Sequence, residues 1–290
     1  MFIENQCVTF GALFATKLAF PPKYPLSMRI TPFLAVLFSA FSGTLSAQVI
    51  NIDFNSSAEP YAFVGLAAVS DTAGGSAVWN QVTGVGTQTI SANGLVDSFG
   101  NATSIGIDIG INGSFYEVPG QQELGGPSGS YHDLMADYVF ISAPTNLEVA
   151  TKSGTIHGLA ANNSYEIYFY SQGNNFVDTY SIGQNGLITA EGESKQTSWD
   201  GVSGGDGLFV EAVEYVKFSF VSNAEGEFDF TWQNVVSGPG GNVVTDHDGN
   251  NSRFAAINGI QIVNTSVSVP EPAIALLGSL GLLVLLRRFR

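Results

Sequence analysis

Val213-Glu214-Tyr215-Val216-Lys217-Phe218-Ser219-Phe220 alternates apolar and polar side chains. Successive side chains of an extended strand point to opposite faces, so a period of two marks a strand with one face buried. The pattern recurs in both directions along the chain. Upstream it appears in Val49-Ile50-Asn51-Ile52-Asp53-Phe54, in 104–111 (SIGIDIGI) and in the aromatic-rich Tyr165-Glu166-Ile167-Tyr168-Phe169-Tyr170. Downstream it appears in Glu227-Phe228-Asp229-Phe230-Thr231-Trp232 and in 254–263 (FAAINGIQIV). Clusters of Gly, Asn, Ser and Asp punctuate these runs at 72–76, 120–130, 162–163, 201–207 and 238–242, where turns are expected. The one short helix expected is 132–138 (HDLMADY). Many short strands joined by polar turns indicate an all-β fold, an antiparallel β-sandwich of the jelly-roll type. No linker or fixed-period repeat divides the body, so residues 48–265 form one expected domain.

The body is strongly acidic. Between Gln48 and Pro270 there are 23 Asp and Glu residues against four basic ones, Lys152, Lys195, Lys217 and Arg253. Nucleic-acid binding needs a basic stripe to neutralise phosphates, and none exists. Attraction to anionic lipid is excluded on the same ground. The single cysteine, Cys7, precedes the body, so the body must be held together by its core rather than by disulfides.

Both ends have a different character. Met28-Arg29, the apolar run 30–41 and the small residues Ser42, Gly43, Thr44, Ser46 and Ala47 follow the order of a signal peptide, with cleavage expected after Ala47. Residues 1–27 carry Pro21, Pro22 and Pro25 and fit a signal badly, so Met28 is the expected translation start. An uncleaved anchor is the alternative, disfavoured because the run is shorter than the ~20 residues that span a bilayer. At the other end, Pro270-Glu271-Pro272 precedes the uncharged run 273–286 (AIALLGSLGLLVLL), a candidate transmembrane helix. Arg287-Arg288-Phe289-Arg290 follows. The positive-inside rule places those arginines in the cytoplasm and the body outside.

This order of parts over 269–290 resembles the PEP-CTERM sorting signal. The matching positions are Pro270, Glu271 and Pro272 for the motif and Arg287, Arg288 and Arg290 for the basic end. The resemblance implies an exosortase substrate from a Gram-negative bacterium that makes extracellular polysaccharide. The body is similar to jelly rolls of the galactose-binding or malectin-like type. That similarity rests on Ile50-Asn51-Ile52-Asp53-Phe54, residues 61–67, Val78-Trp79-Asn80, Ile156-His157-Gly158-Leu159, Tyr165-Glu166-Ile167-Tyr168 and Ile257-Asn258-Gly259-Ile260-Gln261-Ile262. It implies a sandwich whose relatives often bind carbohydrate.

Trp faces stack on the apolar faces of pyranose rings. Trp199-Asp200, in a polar loop, and Trp79-Asn80, after a Gly-rich loop, are therefore the candidate ligand residues. Trp232 lies in an alternating strand and is expected in the core. Ca²⁺ takes six to eight oxygen ligands on tight turns, and Asp246, Asp248 and Asn250 around Gly249 make a candidate Ca²⁺ site. The histidines His132, His157 and His247 lack the spacing of a zinc site. Asp133 and Asp137, four apart on the expected helical turn, are expected at the surface. No Gly-x-Ser-x-Gly elbow, P-loop or dinucleotide glycine motif occurs, so a non-catalytic protein is expected. Three readings follow: an exported surface or matrix protein that binds carbohydrate, a purely structural surface protein or adhesin, and a polysaccharide hydrolase or lyase.

Overall fold

The computed structural model describes residues 48–57, 62–63, 65, 67–69, 78–86, 88–116, 130–173, 184–198, 208–237, 240–244 and 252–266. The signal peptide, the sorting motif with its helix 273–286, Trp199, Asp200 and the loop of Asp246, Asp248 and Asn250 lie outside these residues. No helix of the described residues is long and apolar enough to cross a membrane.

The fold is an all-β sandwich. Its five-stranded sheet runs β11 (Tyr215–Val221), β8 (Ser164–Tyr170), β14 (Gly259–Asn264), β1 (Val49–Ser56) and β2 (Asn80–Gly84). A six-stranded sheet runs β10 (Glu193–Gln196), β9 (Gly186–Ala190), β12 (Phe228–Asn234), β7 (Thr151–His157), β4 (Gly106–Ile111) and β3 (Gln88–Ala92). A smaller sheet holds β13 (Phe254–Ile257), β6 (Asp137–Ser142) and β5 (Gly113–Tyr116). One short helix, α1 (Ser130–Met135), precedes β6.

The alternation seen in the sequence builds the core. Ile50, Ile52 and Phe54 of β1, Ile167 and Phe169 of β8, and Phe218 of β11 face Ile107 and Ile109 of β4, Ile156 of β7, and Phe228, Phe230 and Trp232 of β12. The Phe169 ring meets those of Phe218, Phe228 and Phe230 at 6.0, 6.4 and 4.8 Å. Trp232 is fully buried, as expected, and donates its indole N–H to the Gly110 carbonyl at 3.2 Å. Each such aliphatic or aromatic side chain contributes roughly 1.5–3 kcal/mol by leaving water.

Pairing is antiparallel-dominated, as expected, with one parallel pair among the described strands, β1 with β2. Parallel neighbours require a long crossover, and the connection 57–79 provides one. The helix is Ser130–Met135 rather than 132–138. Asp137 opens β6 instead, fully buried, with its Oδ2 accepting the Ser56 N–H at 2.9 Å. The run 254–263 is two strands in two sheets, divided at Asn258.

Asn258 is fully buried and bonded through every polar group. Its backbone N–H donates to the Tyr170 carbonyl at 2.9 Å, and its carbonyl accepts the Phe54 N–H at 2.8 Å. Its side-chain oxygen accepts the Gln172 N–H at 2.9 Å. Its amide nitrogen donates to the carbonyls of Met135 and Asp137 at 3.1 and 3.3 Å. A Cβ on the adjacent Gly259 would lie 2.7 Å from the Ile52 carbonyl oxygen, so the corner closes only around glycine.

Removing a side chain that satisfies several buried groups leaves each partner to bear its desolvation penalty, about 1–3 kcal/mol apiece. Asn258→Ala is therefore expected to lower unfolding free energy by at least about 3 kcal/mol. Urea denaturation followed by Trp fluorescence measures this, and an unchanged midpoint would refute the role.

Candidate functional site

The outer face of the five-stranded sheet is polar in sequence yet largely covered. Every residue of β1 is buried, including Asn51, Asp53 and Asn55 on the side away from the core. The cover is a second apolar cluster of Phe63, Trp79, Leu134, Met135 and Tyr170. Sheet side chains hold it down. The Phe63 N–H donates to Asp53 Oδ2 at 2.8 Å, and the Ala68 N–H to the Tyr170 hydroxyl at 2.8 Å. Gln261 accepts the Val69 N–H at 3.1 Å and donates to Asn51 Oδ1 at 2.8 Å.

Trp79 belongs to this cover, and Asn80 follows it at the start of β2. Trp79 is 7% exposed, packs at 82° against Phe63 with 4.7 Å between centroids, and donates its indole N–H to the Gly65 carbonyl at 3.1 Å. Asn80 donates to the carbonyls of Asn51 and Val96, both at 2.8 Å, and accepts the Val96 N–H at 2.9 Å. Asn80 thus ties β1 to the segment at Val96, and the Trp79 indole ties the cover to Gly65.

The cluster reaches the surface at its rim, on the edge strand β11 and its neighbour β8. Register places Tyr215 beside Tyr170, Lys217 beside Tyr168 and Ser219 beside Glu166, all on the outer face. Tyr168 and Tyr215 are half-buried, with centroids 5.5 Å apart. Phe209 extends the group, 5.1 Å from the Tyr170 ring. The Tyr168 hydroxyl donates to Glu166 Oε2 at 2.8 Å, and Lys217 Nζ donates to Glu166 Oε1 at 3.4 Å. Burial, followed by the adjacent Glu166 carboxylate, pushes the Tyr168 phenol well above its ordinary range. Burial and then the carboxylates of Glu211, Glu214 and Glu166 raise that of Tyr215. Both rings are thus neutral at physiological pH and present aromatic surface beside an acceptor and a cation.

The sequence carried a signal for this group that the emphasis on Trp passed over. Period two in 165–170 puts Glu166, Tyr168 and Tyr170 on one face, and 215–219 puts Tyr215, Lys217 and Ser219 on one face.

The outer face of the six-stranded sheet carries no aromatic residue along its central rows. One row crosses the strands as Ser91, Asp108, Thr155 and Asp229. The Thr155 hydroxyl donates to Asp229 Oδ1 at 2.6 Å, and His157 Nε2 lies 3.8 Å from Asp108 Oδ2. Beside it lies a groove of about 360 Å³ lined by Gln88, Thr89, Asp108, Lys152, Ser153 and Thr155. Among the described residues no group of three or more His, Cys, Asp or Glu side chains converges to hold a metal ion.

No family model and no curated protein matches the chain. Solved structures that resemble it include extracellular proteins of plants. The chain is similar to the plant receptor-like kinase ANX2, at 10% identity and a TM-score of 0.33 over 63% of this chain and 56% of that one. It is similar to a structure of the plant peptide RALF23 in complex with FER and LLG2, at 11% identity and 0.34 over 59% and 54%. It is also similar to the plant receptor-like kinase FER, at 12% identity and 0.33 over 61% and 54%. The chain spans about half the length of these structures.

Asp53 sets a pH dependence on the cover. Its Oδ1 has no hydrogen-bond partner. Burial raises the carboxyl to about 7, assisted by Asp133 and opposed by the Phe63 N–H and the neighbouring Gln81 amide. A carboxyl whose folded pKa lies above its unfolded value of 3.8 holds a proton that the unfolded chain has released. Its contribution to stability is therefore greatest below about pH 4 and falls as pH rises to about 7. Asp53→Asn keeps the shape and removes the charge. The variant is expected to gain on wild type across that window, by on the order of 4 kcal/mol at full ionisation. Urea titrations of both proteins at pH 4.5 and pH 8 measure this, and an equal offset at the two pH values refutes it.

Proposed function

We propose that the chain is an exported, non-catalytic surface or matrix protein of a Gram-negative bacterium whose sandwich binds carbohydrate. The observation that carries this reading is the rim of the second cluster. Tyr168 and Tyr215 reach the surface there, 5.5 Å apart, beside the Glu166–Lys217 ion pair. Aromatic rings accept the apolar face of a pyranose. A carboxylate and an ammonium alongside suit its hydroxyls, accepting and donating respectively. The site stands on paired strands, so its geometry is held before any ligand arrives.

The ends of the chain support export. The signal-like segment before Gln48 and the Pro270-Glu271-Pro272 motif, apolar run and terminal arginines match a route across the inner membrane to an exosortase. On this reading the tail rests in that membrane until it is processed. Trp199 and Asp200 are proposed as further sugar-contacting residues. Ca²⁺ held by Asp246, Asp248 and Asn250 is proposed as a loop-ordering ion.

The test is a glycan array probed with the detergent-solubilised full chain, with Ca²⁺ and again with chelator. Retention on a defined glycan class is expected, reduced at least tenfold by Tyr215→Ala and by Trp199→Ala. Loss of retention in chelator would assign the ion. No retention in either condition would leave a structural surface protein or adhesin, and release of shortened glycan would point to a hydrolase or lyase.

A further inference from the structure

The two outer faces of the sandwich point in opposite directions, because the inner faces of the five- and six-stranded sheets share one core. The proposed sugar site occupies one of them. The groove on the other has a structural origin that can be traced to single residues. Across that sheet, Thr89 pairs with Gly110, Ser153 with Thr231 and Thr231 with Thr189. Every position named in these pairs carries a hydroxyl except Gly110, which leaves a notch.

The notch is not a collapsed or strained spot. A Cβ on Gly110 would meet the Lys152 Cδ and the Ser153 carbonyl oxygen at 3.4 Å, which is ordinary contact. Glycine is thus not demanded by packing at this point. The floor is fixed from below, since the buried Trp232 indole holds the Gly110 carbonyl at 3.2 Å. The walls supply hydroxyls from Thr89, Ser153 and Thr155, an amide from Gln88, a carboxylate from Asp108 and an ammonium from Lys152. Its volume of about 360 Å³ falls within the range of small-molecule sites, roughly 300–1,000 Å³.

We propose that this groove is a second carbohydrate site, so that one sandwich holds sugar chains on both outer faces and bridges them. The proposal rests on the carbohydrate-binding reading of the Tyr168–Tyr215 face. Donors and acceptors on a polar floor suit a polyhydroxylated ligand bound by hydrogen bonds, with no ring to stack upon. The ligand is a neutral glycan. The body's 23 acidic residues against four basic ones repel a polyanion, and Lys152 shares the groove with Asp108 rather than with a basic cluster. Opposite placement makes the protein a cross-bridge, since a chain on one face cannot fold around to occupy the other.

The test is isothermal titration of the detergent-solubilised full chain with neutral hexasaccharides (malto-, cello-, manno- and laminarihexaose). Two sites per chain are expected for at least one of them. Gly110→Gln fills the notch, and Lys152→Ala removes one wall without adding bulk. Each is expected to reduce the stoichiometry to one or to weaken one of the two sites at least tenfold, with the other site unmoved. Tyr215→Ala is expected to remove the complementary site and leave the groove site intact. A single site lost in Tyr215→Ala and untouched by both groove variants overturns the second site and leaves the first reading standing. A single site lost in the groove variants and untouched by Tyr215→Ala overturns the bridge and relocates the sugar site. No heat with any hexasaccharide overturns both.

Discussion

One buried amide determines how the small sheet meets the five-stranded one. Asn258 stands where the chain leaves the small sheet and enters the five-stranded one, and its bonds reach β1, the segment after β8, the end of α1 and the start of β6. An apolar residue there would leave the carbonyls of Met135 and Asp137 without their donor and the Gln172 N–H without its acceptor. Buried polar groups are tolerated only when their bonding is complete. The position therefore specifies one arrangement of the elements rather than merely stabilising it. Gly259 enforces the same geometry by steric means, since only its bare Cα fits against the Ile52 carbonyl.

From that corner follows the burial of β1 on both faces. The Asn51, Asp53 and Asn55 side is roofed by Phe63, Trp79 and α1 rather than by solvent. A roof over polar residues must be hydrogen-bonded to them, and Phe63, Ala68 and Val69 are. Among the described residues the roof does not extend over β11, and the last aromatic residues beside it form a half-covered rim. The candidate site is thus a consequence of incomplete covering, not a separate device added to the fold.

The sandwich was legible in the sequence because period two survives wherever one face is core. Ile107, Ile109, Phe228, Phe230 and Trp232 were placed correctly for that reason. The same rule misled where the second face is also buried. Alternation alone presents Asn51 and Asp53 as solvent-facing, and nothing local announces a roof contributed by Phe63, Ala68, Val69 and Trp79. The strand β7 (TKSGTIH) was invisible because its outer face is polar and Gly154 sits on its inner one, under the Phe230 ring. At Asp137 a helical spacing competed with the β-branched and aromatic run that follows it, and the sheet won. For the site, the stacking face of Trp drew attention to Trp79, which is taken up by packing, whereas the rim is built of tyrosines whose proximity depends on β8–β11 register.

An edge strand needs protection against pairing with other chains, and lysine is a common guard. That role alone explains Lys195, whose ammonium reaches across from β10 to the Lys217 carbonyl at 2.6 Å and lies 4.8 Å from the Phe218 ring. It does not explain the side chain of Lys217. A guard is most effective extended into water, but Lys217 turns inward along the sheet to Glu166, 5.8 Å from the Tyr168 ring centroid. With Lys195 already covering the edge, the Lys217–Glu166–Tyr168 arrangement adds little that protection requires. It places a cation, a carboxylate and a phenol together beside a half-buried aromatic edge, the arrangement on which the proposed sugar site rests.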